Sequence, residues 1–341
     1  MDSQAILKEY KNEKQRTVSN ILFFKGIGLH TGKEVSVTIK PSKADSGIIF
    51  IRKDLKPNVI IKADAGNICS TTMRTSIGKK IISGEKAASG GCISTVEHLM
   101  SALWGAGVDN AEVEVYGDEI PAMDGSARVF YEAIYESGVK ELNSNRKYIE
   151  ILKPIILDGS DLYSENSENS EKSIKNEDAC IAIYPSDDFE ISYVMDFNHP
   201  LVSSGSFEMK INEGNFYGEI SKARTFGFLK DVEYLKKSGL ALGGSLENAL
   251  VLDETSVLNK EGLRYGDEFI RHKVLDLIGD LYLSGYRIKG RLAAKKTGHY
   301  INSRLAKKIS EILNSYKIYG APFREAAGSM VAQNAASVLF A

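Results

Sequence analysis

Polar and apolar residues alternate along Glu34-Val35-Ser36-Val37-Thr38-Ile39-Lys40 up to Pro41. That period of two predicts a strand with one buried face. Between Phe269 and Leu281 the period lengthens. Val274, Leu275, Leu277, Ile278 and Leu281 recur at steps of three and four, one buried stripe of a helix over about 267–283. His272, Asp276 and Asp280 follow each other at four-residue steps and occupy a neighbouring stripe. Shorter runs predict strands at 47–51, 59–63, 110–116, 148–152, 180–184, 190–196, 248–252 and 287–294. Helices are predicted from a Ser94 or Thr95 cap to Trp104, over 126–138, around 231–238 and over 302–315.

The order, strands and then helices, occurs twice. It predicts an α+β fold of two similar domains, each a sheet with a pair of helices, over 15–145 and 146–320. Residues 1–14 are polar and expected to be frayed, and 321–341 form a C-terminal segment. Residues 78–91 read as a Gly- and Lys-rich insertion, and 158–179 as a solvated polar loop. The turn Gly26-Ile27-Gly28-Leu29-His30-Thr31-Gly32 is not a dinucleotide fingerprint, because Thr31 replaces the last glycine and a strand follows. His30 reads as a polar residue holding that turn.

Composition narrows the classes. A length of 341 residues suits about two domains. The net charge of −2 argues against a nucleic-acid partner. Three cysteines without a C-x-x-C pair argue against a disulfide framework and fit a reducing compartment. The charged stretch from Met1 to Arg16 has no apolar signal region, and no apolar run reaches the roughly 18 residues of a transmembrane helix. The expected location is the cytoplasm.

Histidine and carboxylate placement suggests chemistry. Glu97 and His98 are adjacent on the first predicted helix, and helical neighbours point about 100° apart. One can ligate a metal while the other stands beside it. His98 with His272 and Asp276 makes two histidines and a carboxylate, the ligand set of a catalytic Zn2+ site with an open position. Zinc would lower the pKa of its water, and Glu97 would take the proton. His299, after Gly298, could act as general acid and stabilise charge, with Asp280 orienting it. The Thr225 hydroxyl could donate to the oxyanion. The same spacing also fits a solvated His–Asp helix pair, and no H-E-x-x-H motif is present, so both readings stand on the residues alone.

Several strings settle on one family. They are Gly26-Ile27-Gly28-Leu29-His30-Thr31-Gly32, Ser94-Thr95-Val96-Glu97-His98-Leu99 and Ile120-Pro121-Ala122-Met123-Asp124-Gly125-Ser126-Ala127. Asp196-Phe197-Asn198-His199-Pro200, Ala223-Arg224-Thr225-Phe226-Gly227-Phe228, Arg271-His272-Lys273-Val274-Leu275-Asp276 and Gly298-His299 follow in order. On these the chain resembles the UDP-3-O-acyl-N-acetylglucosamine deacetylases, zinc amidases of lipid A biosynthesis, over about residues 15–315. The resemblance implies an active site between two α+β domains and an acylated UDP-sugar substrate. It implies Zn2+ on His98, His272 and Asp276, Glu97 as general base, His299 as charged acid, Asp280 as its orienter and Thr225 on the oxyanion. It places Phe226 under the sugar, Lys273 and Lys296 near the diphosphate, and Asp196 and Phe197 near the uracil. A monomer is expected. The polar loop 158–179 and the 78–91 insertion depart from the family pattern and bear on acyl-length preference. An amidase for another N-acetylated nucleotide sugar and a binder with structural zinc are the competing readings. The binder would need a fourth protein ligand, and no cysteine motif offers one.

Overall fold

The computed structural model describes residues 3–79, 91–158, 178–197, 199–202 and 204–318. Most of the expected 78–91 insertion, most of loop 158–179 and all of segment 321–341 lie outside the described residues. The chain runs β1 (Ala5–Val18), β2 (Leu22–Ile27), β3 (Glu34–Pro41), β4 (Ile48–Arg52), β5 (Val59–Lys62), β6 (Ile68–Ser70), β7 (Ser76–Gly78), β8 (Cys92–Ile93), α1 (Glu97–Gly105), β9 (Ala111–Tyr116) and α2 (Arg128–Ser137). It continues with β10 (Val139–Ile151), β11 (Ile155–Leu157), β12 (Cys180–Tyr184), β13 (Phe189–Met195), β14 (Gly205–Lys210), α3 (Glu213–Glu219), β15 (Phe226–Phe228), α4 (Val232–Lys237), β16 (Leu250–Leu252), α5 (Glu268–Tyr282), β17 (Arg287–Lys295) and α6 (His299–Ile318). This is the expected α+β class.

Two main sheets face a helical middle. The first has the order β2-β3-β9-β4-β5. Its alternation is real: Val35, Val37 and Ile39 of β3 are buried while the residues between them are not. The second sheet has the order β1-β10-β17-β12-β11, with β13 also on β17 and β14 on β13. A small sheet β6-β7-β8 and a parallel pair β15-β16 complete the set.

The N-terminal expectation is corrected. Residues 1–14 are not frayed where described, because Ala5–Val18 form a long strand antiparallel to β10. Its sequence hides this. The strand is an edge, so it buries little apolar surface and is held by the ladder and by cross-strand pairs. Lys8 Nζ lies 3.1 Å from Glu150 Oε1, and the Tyr10 and Tyr148 rings are 5.0 Å apart. The expected 145/146 division therefore falls inside β10, and the earliest strand belongs to the later sheet. β14 and α3 were not expected. The α3 cap is nonetheless a sequence signal, since Asn212 and Asn215 form a reciprocal capping box.

Helices α1 and α5 pack against each other at the centre, whereas α4 buries none of its residues. All nine residues of α1 are buried, and only Arg271 and Lys273 of α5 are partly exposed. A helix covered on all sides turns every polar stripe inward, so the His272–Asp276–Asp280 stripe faces protein rather than water. The two helices touch backbone to backbone. A Cβ on Gly279 would overlap the Glu97 carbonyl, and one on Gly105 would overlap the Phe216 ring. At the far end of α1, Arg287 Nη1 donates to the Trp104 carbonyl at 2.6 Å. A cavity of about 470 Å³ opens near there, but Arg16, Arg146 and Arg287 on its wall are already paired with Asp109 and Glu213.

A buried ion pair fixes the start of α5. Arg224 Nε donates to Glu268 Oε1 at 2.8 Å, and Arg264 N–H donates to Glu268 Oε2 at 2.5 Å. Both partners are almost wholly buried, at 2% and 0% side-chain exposure. Arg224→Ala strands the Glu268 carboxylate and should cost roughly 3–5 kcal/mol, read as a lower urea midpoint with unchanged slope. Gly279→Ala gains about 1 kcal/mol of helix propensity. A backbone carbonyl cannot swing aside, so the overpacking cost of roughly 1–3 kcal/mol should win. The expected result is a lower Tm, and an unchanged or higher Tm would refute the close contact.

Candidate metal centre and active site

Local backbone presents the first two groups. Thr95, just before α1, has φ of 57°, a rare conformation for a β-branched residue. Its hydroxyl donates to Glu119 Oε1 at 2.8 Å. Glu119 also accepts from His30 N–H, Thr31 N–H and the Thr31 hydroxyl at 3.0, 2.9 and 2.8 Å. One buried carboxylate thus ties the glycine-rich turn to the entry of α1. This corrects the capping expectation: α1 begins after Val96 with no side-chain cap, and Thr95 is spent on Glu119.

Three ligand atoms converge below. His98 Nε2 is 3.5 Å and His272 Nε2 is 3.3 Å from Asp276 Oδ1, and all three lie within 4.8 Å of one another. The His272 Nδ1–H donates to the Ala223 carbonyl at 3.0 Å, which leaves the Nε2 lone pair facing inward. Burial pushes His272 down to about 3, so its ring is neutral. Asp276 Oδ1 is buried without a hydrogen-bond partner. An orphaned carboxylate oxygen facing two imidazole nitrogens is costly as it stands and fits a cation. Ligand atoms about 2 Å from a tetrahedral ion lie roughly 3.3 Å apart, close to the two measured separations.

The flanking groups form a second row. Lys273 Nζ donates to Asp276 Oδ2 at 2.8 Å. His299 Nε2 lies 3.9 Å from the same oxygen, and its Nδ1–H donates to Asp280 Oδ2 at 3.0 Å. Burial opposes protonation of His299, but the Asp280 and Asp276 carboxylates outweigh it and raise the ring to about 9. His299 is therefore an imidazolium at neutral pH. Glu97 is buried, and burial raises its carboxyl above the ordinary value.

Thr75 was not singled out in the sequence, yet it bridges Glu97 and Asp280 in that second row. Its N–H donates to Glu97 Oε2 at 3.0 Å, and its hydroxyl donates to Asp280 Oδ1 at 2.5 Å. No local signal marks it, because its partners are 22 and 205 residues away. Asn302 is a further donor to Asp280 Oδ2, at 3.0 Å. Glu119 had a signal, since it opens the turn before Ile120-Pro121.

The remaining expected residues extend the site outward. Thr225 is two residues beyond the Ala223 carbonyl, its N–H donates to Gly125 O at 2.8 Å, and among the described residues its hydroxyl makes no hydrogen bond. The Phe226 ring is 6.5 Å from His272, 5.8 Å from Lys273 Nζ and 5.8 Å from Phe197. Lys296 Nζ is 2.7 Å from Asp196 Oδ2. The structure thus joins Phe226, Lys273 and Phe197 in one aromatic-lined run beside the histidines. Lys296 and Asp196 form an ion pair with each other, next in sequence to Phe197. His30 is buried, and its Nδ1 accepts from Ala241 N–H at 3.4 Å, so its side chain ties the turn to a distant loop while Glu119 holds the turn itself.

A family model described as UDP-3-O-acyl N-acetylglycosamine deacetylase matches residues 15–311. A protein of Geobacter sp. (strain M21) named UDP-3-O-acyl-N-acetylglucosamine deacetylase is 42% identical over 317 residues, 91% of this chain and 95% of its own length. Proteins with the same name from Myxococcus xanthus (strain DK1622) and Pseudomonas entomophila (strain L48) are 42% and 41% identical. They cover 92% and 89% of this chain, and 92% and 93% of their own lengths. Among the described residues, no helix is long and apolar enough to cross a membrane. With its convergent His98, His272 and Asp276 beside Glu97, the chain belongs to the UDP-3-O-acyl-N-acetylglucosamine deacetylase family.

Proposed function

We propose that this protein hydrolyses the N-acetyl group of UDP-3-O-acyl-N-acetylglucosamine, giving acetate and UDP-3-O-acyl-glucosamine, a committed step of lipid A biosynthesis. The carrying observation is the orphaned Asp276 Oδ1 facing His98 and His272, with the buried Glu97 and the cationic His299 beside it. The relatives' names supply the substrate. Zn2+ on His98, His272 and Asp276 would supply Lewis acidity toward water and the acetamide carbonyl.

The chain's own groups divide the proton work. Glu97 takes a proton from the attacking water, and its raised pKa suits that task. The Thr225 hydroxyl, free of protein partners among the described residues, donates to the oxygen that becomes negative. His299 gives its proton to the leaving amine nitrogen as the C–N bond breaks. Asp280 holds the opposite ring nitrogen and so aims Nε2 inward. Phe226 supports the sugar, Lys273 and Lys296 face the diphosphate, and Asp196 and Phe197 lie toward the uracil. Three cysteines with no C-x-x-C pair support a cytoplasmic setting.

Acetate release from the acylated substrate, with zinc content measured on the same sample, tests the reading. Release from the unacylated UDP-sugar at an equal rate would favour a broader amidase. Glu97→Gln should keep zinc and lose about 10²–10⁴ in kcat. His272→Ala and Asp276→Ala should lose zinc, and full retention in both would refute the ligand set. Thr75→Val keeps the N–H to Glu97 but removes the donor to Asp280. Losing a hydrogen bond to a charged group predicts a fall of about tenfold or more in kcat with zinc and KM unchanged, and Thr75→Ser should restore it.

A further inference from the structure

Two cysteines that the reaction does not use meet in the small sheet. Cys69 on β6 and Cys92 on β8 belong to the strands that flank β7, and their sulfurs are 2.9 Å apart. They meet over Gly78. A Cβ there would lie 2.6 Å from Cys92 Sγ and 3.2 Å from Cys69 Sγ, so a side chain on the middle strand would force them apart. The ladder between β6 and β7 shifts register between Ile68 and Ser70, which makes Cys69 the extra residue of a bulge. Cys69 is exposed and Cys92 half-buried, so small solutes reach the pair. Arg52 Nη1 donates to the Cys92 carbonyl at 2.5 Å, while its Nε and Nη2 pair with Asp54. The hydrogen bond from Cys69 pulls the Cys92 thiol down to about 7 against burial, with help from Arg52. Cys180, the third cysteine, lies on β12 in the second main sheet, and burial raises its thiol.

We propose that Cys69 and Cys92 form a dithiol site that hydrogen peroxide converts to an intramolecular disulfide. The Cys92 thiolate attacks one peroxide oxygen, the O–O bond breaks and hydroxide leaves, giving a sulfenic acid. The Cys69 sulfur then attacks the Cys92 sulfur. The S–O bond breaks, and the oxygen leaves as water with the Cys69 proton. Two thiols are oxidised to one disulfide, and one peroxide is reduced to two waters. A disulfide is about 2.05 Å long, so closure asks the sulfurs to approach by roughly 0.9 Å.

The test is peroxide treatment of the full chain, then alkylation, intact mass and peptide mapping. The expected product has lost two hydrogens, alkylates only at Cys180 and yields a peptide joining Cys69 to Cys92 that dithiothreitol separates. Cys69→Ser and Cys92→Ser should each abolish the joined peptide. Three alkylated cysteines after treatment, or oxygen added to Cys69 or Cys92 without a joined peptide, would overturn the proposal. The readout needs no catalysis, so it stands or falls apart from the deacetylase reading.

Discussion

The contact of α1 with α5 at Gly279 sets the distance on which the site depends. Two helices this close bring groups from residues 97–98 and 272–280 into one interior. A side chain at that crossing would separate His98 from His272 and Asp276. The ion pair of Arg224 with Glu268 fixes where α5 begins, and the Ala223 carbonyl, one residue earlier, fixes the His272 ring. Positioning therefore comes from rigid elements and buried pairs, together with two short connections, at Thr75 and Ala223, that reach into the site.

The interior is crowded with charge, and its balance is informative. Glu97, Asp276 and Asp280 are three buried carboxylates, packed against Lys273 and an imidazolium at His299. Burial opposes a charge on His98 too, but Asp276 and Glu97 raise it. Asp276 Oδ1 still has no donor. Buried carboxylates are tolerated when paired, and a divalent ion would pair that oxygen and add positive charge. Positive charge there suits a reaction that builds negative charge on a carbonyl oxygen.

Much of this was legible where chemistry follows local period. The four-residue steps from His272 to Asp280 put three groups on one stripe, and the structure keeps them there. The Glu97–His98 pair was legible because neighbouring helical positions diverge. Thr75 was not, since a hydroxyl between short strands has no pattern to betray partners in distant helices. β1 was misread because an edge strand held by ladder bonds and cross-strand pairs shows little apolar alternation. The capping expectation at Thr95 failed for a similar reason: a buried carboxylate at Glu119 competes for the hydroxyl, and sequence spacing does not reveal competition.

The placement of β1 has a consequence for synthesis on the ribosome. Its neighbour β10 begins at Val139, and the strand that joins β10 to the rest of that sheet begins at Arg287. The nascent chain thus carries a long unpaired strand while the whole first sheet emerges. Unpaired edges invite wrong partners. The charged, weakly apolar face that made β1 hard to recognise also keeps it from sticking during that wait. Its sequence therefore answers to two states of the chain, the finished sheet and the half-made protein.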